Sequence, residues 1–290
     1  MKRYWRILKK AGAEWSSQNA LEWGAALAYY TAFSIAPLLI IALTIVGVVY
    51  KGNSLGYIHD QIGNLVGNNA ATALTSAIVS VRRSEHGVLA NVVSIIVLLV
   101  GATSVFGQLQ IALNRVWGVQ PKPGHFWRDL FKQRMISFAM ILGISFLMLV
   151  SLLVSAVLAA ITGYFEYLLP GANIIWHLID ATVSFAIVVL LFAAIFKIIP
   201  DVHIDWKDVW TGAIFTSALF VGGKAAIGFY LGRSGVGSAY GAAGSVLIIL
   251  AWVYYSSQIL FLGAEFTKLY AEERRIRIVP IKGAEFRKAS

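Results

Sequence analysis

The 290-residue chain has no cysteine. Disulfides and thiol catalysis are therefore excluded. Charge is also scarce: 13% of the residues are Asp, Glu, Lys or Arg, against about a quarter in a soluble domain. The alternating short strands of a membrane barrel are not visible. Nucleotide motifs are missing too. The GGK at Gly222–Lys224 lacks the spacing and the following Ser or Thr of a phosphate-binding loop, and the glycine-rich stretch Gly232–Ser245 follows no strand.

Apolar sequence is what the chain has in excess, at 58%. Six runs are long enough to cross roughly 30 Å of hydrocarbon: Ala25–Tyr50, Val88–Gly107, Ile136–Ile161, Ile174–Ile199, Val209–Leu231 and Ala243–Ala264. In lipid every backbone N–H and C=O must find its partner within the segment, so each run is read as a helix. The first run is too long for a signal-peptide core and reads as a retained span. The expected fold class is all-α: a polytopic membrane bundle of six transmembrane helices. An N-terminal interfacial helix and a short extracytoplasmic helical hairpin accompany it. The expected division is a cytoplasmic amphipathic arm over 1–24, the membrane domain over 25–266 and a cytoplasmic basic tail over 267–290. Residues 52–87 form the extracytoplasmic amphipathic segment.

The net charge of +10 is unevenly spread. Basic residues crowd the N-terminal arm (Lys2, Arg3, Arg6, Lys9, Lys10), the loop after the second run, the loop after the fourth and the C-terminal tail. The opposite side has only Lys51, Arg82, Arg83 and Arg233. This bias places both termini in the cytoplasm. It also makes anionic lipid headgroups at the cytoplasmic face the expected partners. Topology alone demands such a bias, so no nucleic-acid partner is inferred. A homo-oligomer is compatible with the sequence. In the arm, Trp5, Leu8, Gly12 and Trp15 fall near one helical face, which suits a helix in the headgroup region.

Lys224 is the costliest residue in its setting. It lies within the fifth run, about 10 Å below the outer end. A lysine at such depth marks a functional position unless its long side chain snorkels to the interface. Asp180 lies about 9 Å into the fourth run from the same side, with His177 one turn above it. Lys224 and Asp180 are thus expected to pair in a polar cavity, offsetting much of each other's desolvation. Tyr240, Tyr29, Tyr30 and Ser34 are the other polar groups expected to line it, although the span 1 residues could equally be helix glue. Pro37 should kink the first span. Gly24, Ala28, Ala32 and Ala36 form a small-residue stripe, and Gly228/Gly232 and Gly237/Gly241 have GxxxG packing spacing.

PDVHIDWKD (Pro200–Asp208) offers Asp201, His203 and Asp205 as metal ligands. A helix start accounts for it more simply, with Asp205 as the cap and Asp208 at the positive end of the dipole. No metal or other cofactor is expected. Glu22 and Glu265, near the cytoplasmic ends of the first and last runs, read as solvated or paired interface carboxylates. No nucleophile–base pair is legible, so no enzymatic activity is expected.

ALAYYTAFSIAPLLI (Ala26–Ile40), ATSVFGQLQIALNRVWGV (Ala102–Val119), YGAAGS (Tyr240–Ser245) and GAEF (Gly263–Phe266) resemble the YihY/virulence factor BrkB family of bacterial inner-membrane proteins. The resemblance spans about Trp15 to Glu272. It implies a six-helix inner-membrane protein with both ends inside, and it carries an association of some members with lipid export. It transfers no catalytic residues, and the ribonuclease label once given to members is not adopted. The expected function is a transporter or flippase-like protein for a lipid or anionic envelope component. The alternative is a non-transporting membrane scaffold or envelope-integrity factor.

Overall fold

The computed structural model describes residues 2–32, 104–122, 173–233, 242–274 and 278–287. In chain order these form α1 (Lys2–Ser17), α2 (20–32), α3 (104–116), β1 (Val119–Pro121), α4 (Asn173–Ile198), β2 (Val202–His203), α5 (Trp206–Arg233), α6 (Ala242–Glu273), β3 (Val279–Pro280) and β4 (Ala284–Phe286). The described residues are mostly helical. The third apolar run, the segment 52–87, and Ser34, Ala36, Pro37, Gly237, Tyr240 and Gly241 lie outside them.

Helices α4, α5 and α6 coincide with the last three apolar runs, but α6 continues past Ala264 to Glu273. Their boundaries have local causes. Asp205 holds the cap position of α5: its carbonyl accepts from the N–H of Asp208 at 3.0 Å and of Val209 at 3.3 Å. At the end of α3 the chain reverses through Gly118 at φ 66°, a left-handed conformation that costs a glycine little. Between α1 and α2 the same conformation falls to Asn19, at φ 60°. Among the described residues one helical stretch, Ala181–Ile198, is long and apolar enough by length and composition to cross a membrane. Helices α5 and α6 are longer still, at 28 and 32 residues. Their apolar residues, however, are interleaved with Thr211, Thr216, Ser217, Lys224, Ser256, Ser257 and Gln258.

The chain forms two compact units, one of Met1–Leu21, Leu109–Gly223 and Gln258–Ser290, the other of Glu22–Gln108 and Lys224–Ser257. The first has a core that includes Leu113, Val116, Phe196, Val209 and Phe261, none of them more than marginally exposed. Against it lies α1. Ile7 and Ala11 are buried on Phe266 and Leu269 of α6, with Phe215, Leu262 and Tyr270 around them. Burying an isoleucine side chain of this kind is worth about 1.5–3 kcal/mol. A stack of rings continues the contact: Phe215 on Phe266 with centroids 4.2 Å apart, Phe266 on Tyr270 at 6.4 Å, and Tyr270 on Tyr4 at 6.2 Å. The helix therefore has two apolar aspects. Ile7 and Ala11 dock on protein, while Trp5, on the face expected to meet headgroups, stays 61% exposed.

Beyond α6 the described residues, 278–287, carry two short strands. Strand β4 pairs antiparallel with β1, Val119 opposite Phe286, and β3 pairs antiparallel with β2, Val202 opposite Pro280. Two further bonds extend these ladders, from Arg287 N–H to the Gly118 carbonyl at 2.8 Å and from Ile281 N–H to the Asp201 carbonyl at 3.1 Å.

In the second unit, Trp23, Gly24, Leu27 and Ala28 of α2 are buried, so this part of the small-residue stripe lies on the covered face. The Thr31 hydroxyl donates to the Leu27 carbonyl at 2.8 Å. Tyr29 and Tyr30 meet edge to face, with centroids 5.9 Å apart.

Candidate functional site

Helices α5 and α6 meet at a reciprocal contact. A Cβ added at Gly212 would lie 1.8 Å from Thr267 Oγ1, and one added at Gly263 would lie 2.0 Å from Thr216 Oγ1. Residue numbers rise along one helix as they fall along the other, so the pair is antiparallel. Each threonine hydroxyl is satisfied inside its own helix, Thr216 donating to the Gly212 carbonyl at 2.7 Å and Thr267 to the Gly263 carbonyl at 2.6 Å. The hydroxyls thus need nothing from the partner helix, and the two backbones close on glycine. The sequence signal was present as Gly-x-x-x-Thr in both helices (Gly212–Thr216 and Gly263–Thr267), which shares the four-residue spacing of the GxxxG pairs expected to pack but has Thr in place of the second Gly.

Beside this seam are buried polar atoms with no hydrogen-bond partner. They include the Ser217 hydroxyl, both amide atoms of Gln258 and both carboxyl oxygens of Glu265. Gln258 and Glu265 are seven residues apart and therefore share a face of α6. Glu265 is 1% exposed and lies 3.7 Å from Lys268, so of the two readings its position allowed, solvated or paired with a nearby basic residue, the paired one holds. Burial is the main cause that pushes its carboxyl up to about 8; nearby Lys268 works the other way, and Glu14 and Glu272 add to the rise. Burial thus favours the uncharged acid.

Lys268 lies 3.7 Å from Glu265 and only 2.9 Å from Glu14 on α1. Its own burial works against the charge, but Glu265 and Glu14 together outweigh that and raise its affinity for the proton. Lys10 flanks Glu14 at 3.9 Å. At the other end of α1, Arg3 and Arg6 each reach the Glu273 carboxylate at 2.9 Å. The Arg6 hydrogen bond leads in holding that carboxyl below its usual range, with Arg3 assisting. Two ion-pair groups therefore tie α1 to α6 on either side of the Ile7–Ala11 contact.

The PDVHIDWKD stretch is structural. The Asn114 amide donates to Asp201 Oδ2 at 2.8 Å and its carbonyl accepts from Asp201 N–H at 2.8 Å, while Gln110 donates to the same carboxylate oxygen at 3.2 Å. Asp208, 3% exposed, is paired with Arg274 at 2.8 Å. The Lys197 ammonium donates to the Ile204 carbonyl and lies over the Trp206 ring. Among the described residues no three of His, Asp or Glu gather as a metal-ligand set.

Of the residues expected to line a cavity, Lys224 is exposed, nine residues before the end of α5, and Tyr29 and Tyr30 are 60% and 38% exposed. His177 and Asp180 lie on α4 with side chains outside the described residues, so the expected Lys224–Asp180 pair is likewise outside them. Gly228 and Gly232 lie in α5, with surroundings that are not described.

The sequence matches the family described as Virulence factor BrkB over residues 11–285. The chain belongs to that family. It is similar to proteins named UPF0761 membrane protein. That of Alkalilimnicola ehrlichii is 27% identical over 259 residues, 88% of this chain and 55% of the relative. That of Acinetobacter baylyi is 27% identical over 248 residues, 84% and 57% of the two chains. A Pseudomonas aeruginosa relative is 26% identical over 253 residues, 83% and 56%. The chain spans a little over half the length of these curated relatives. No solved structure matches it. This BrkB-family chain is a membrane protein. The matched range takes in the glycine–threonine seam, Glu14, Glu265 and Lys268, whereas Arg3, Arg6 and Ile7 precede it.

Proposed function

We propose that this is a multi-pass inner-membrane protein with both termini in the cytoplasm, and that it moves an amphipathic or anionic lipid component of the envelope across the bilayer. The observation that carries this reading is the set of buried polar atoms without a hydrogen bond on α5 and α6: the Ser217 hydroxyl, the Gln258 amide and the Glu265 carboxyl. A purely structural seam gains nothing from them, because each unsatisfied buried polar group costs about 1–3 kcal/mol. A route that must solvate a polar headgroup when it opens does need them. The exposed α1 face, with Trp5 beneath the Lys9 ammonium at 5.6 Å and Lys2 and Lys10 nearby in sequence, suits anionic headgroups at the cytoplasmic surface. The reading is non-enzymatic.

A scaffold reading draws on a different observation. The cytoplasmic elements are tied together by strand pairing and ion pairs, as a docking platform would be. Reconstitution separates the two. Vesicles holding the protein and headgroup-labelled phosphatidylglycerol are expected to equilibrate label between leaflets faster than empty vesicles, and Gln258→Leu should reduce the rate at least about fivefold. Equal rates with and without protein would remove the transport reading. Orientation is tested separately in the cysteine-free chain. Lys282→Cys should take an impermeant maleimide only after spheroplasts are opened, and Arg233→Cys in intact ones.

A further inference from the structure

We propose that Glu265 is a proton-binding site whose occupancy decides how firmly α1 is held against α6. The inference concerns α1 and does not depend on the transport reading. It begins with a shared cation. Lys268 is the ammonium facing two carboxyls on two helices, Glu14 at 2.9 Å and Glu265 at 3.7 Å. It cannot serve both fully. Glu265 has no hydrogen-bond donor of its own, and both its oxygens are buried.

The surrounding charges are few. From α1, Glu14 faces the site with Lys10 behind it; on α6, Lys268 and Glu272 complete the set. Helix α5 has no ionisable residue between Val209 and Gly223, the stretch that includes both of its seam contacts with α6. With the proton bound, Glu265 is neutral and the ammonium is free for Glu14, so the C-terminal half of α1 is fastened. When the proton leaves, a buried carboxylate appears. It draws Lys268 toward itself and repels Glu14, because an unpaired buried charge is the costliest state available. The fastening at Glu14 weakens. The Arg3 and Arg6 pairs with Glu273 lie at the opposite end of α1, away from Glu265. The helix therefore loosens from its C-terminal half first, over Ala11 and Trp15.

The test uses the absence of native cysteine. Ala11 is fully buried on the face of α1 that meets α6, and Ala11→Cys places one small thiol there. Alkylation by N-ethylmaleimide in lipid nanodiscs is measured from pH 6.5 to 9 for A11C and for A11C/E265Q, whose thiols share the same intrinsic pH dependence. The ratio of the two rates should be near one at pH 6.5 and rise at least about fivefold by pH 9, with its midpoint near 8. A ratio that stays within about twofold throughout overturns the proposal. Lys268→Met, which removes the shared cation, should make A11C react fast at every pH; a rate as slow as that of A11C alone would equally overturn it. Hydrogen exchange over residues 2–17 of the unmodified chain, corrected for intrinsic rates, supplies the same comparison without a cysteine. Protection there should fall between pH 6.5 and 9, and unchanged protection counts against the latch.

Discussion

Gly212 of α5 lies directly against the Thr267 side chain of α6, so closely that an added Cβ would sit 1.8 Å from Oγ1 and 2.7 Å from Cβ of the threonine. The contact is repeated in reverse between Gly263 and Thr216. Two such contacts, four residues apart on each helix, fix both the separation of the axes and their register.

Substituting Gly212 by Ala should therefore force the helices apart. Overpacking of this kind typically costs about 1–3 kcal/mol, and the upper part of that range is expected because the blocking atoms belong to a side chain fixed by its own hydrogen bond to Gly263. Thermal unfolding in detergent would show the loss. The double variant G212A/T267A should recover only part of it, since the remaining Cβ atoms are still closer than carbon atoms allow. Full independence of the two substitutions would mean that the helices do not meet there.

Asn114 joins α3 to the turn after α4 through two bonds to Asp201. Asn114→Ala removes both and leaves the Asp201 N–H and one carboxylate contact unmade. A loss of about 2–3 kcal/mol is expected. Asp201→Asn should be milder, because the backbone N–H bond to Asn114 survives. Urea titration of the two variants side by side would reveal that order.

Arg274 is 44% exposed at its side chain, whereas the Asp208 that it pairs with is 4% exposed. Arg274→Met therefore strands a buried carboxylate, relieved in part by the N-terminal dipole of α5. A cost of about 2–4 kcal/mol is expected. Adding Asp208→Asn should restore most of it, and that coupling can be read in a double-mutant cycle.

Stability should depend on pH through Glu265. Its affinity for the proton is higher in the folded chain, about 8 against 4.5 for a free carboxyl. The folded state thus binds more protons than the unfolded state between those values, and stability from this group is lost as pH rises through that window. The ceiling is roughly 5 kcal/mol. Glu265→Gln should flatten the slope, raising the unfolding temperature more at pH 9 than at pH 6. Glu273 acts in the opposite sense. Its depressed affinity makes the Arg3 and Arg6 contacts fail as pH falls below the usual carboxylate range.

Much of the helical layout could be read from the chain. The fourth and fifth apolar runs became α4 and α5 nearly residue for residue, because an apolar run bounded by Pro200 and an aspartate cap leaves the backbone little choice, whereas α6 starts with the sixth run but continues past it to Glu273. Asp205 took the cap position its place before the run suggested. The candidate site was less legible. Glu265 was visible as a carboxylate near a helix end, but nothing in its local sequence told that α1 would cover it. The strands of the C-terminal segment were equally hidden, since Val279–Pro280 and Ala284–Phe286 pair with residues far away in the chain.

Sequence by itself determined most of α4, α5 and α6: apolar length and scarce charge mark the segments, and each helix satisfies its backbone from within. Only the tertiary structure decided which faces meet. The Gly212–Thr267 contact, the sharing of Lys268 between Glu14 and Glu265, and the pairing of Asp201 with Asn114 all join residues from separate helices or loops. Their energies depend on burial and on distances below 4 Å, quantities that exist only once the chain has packed.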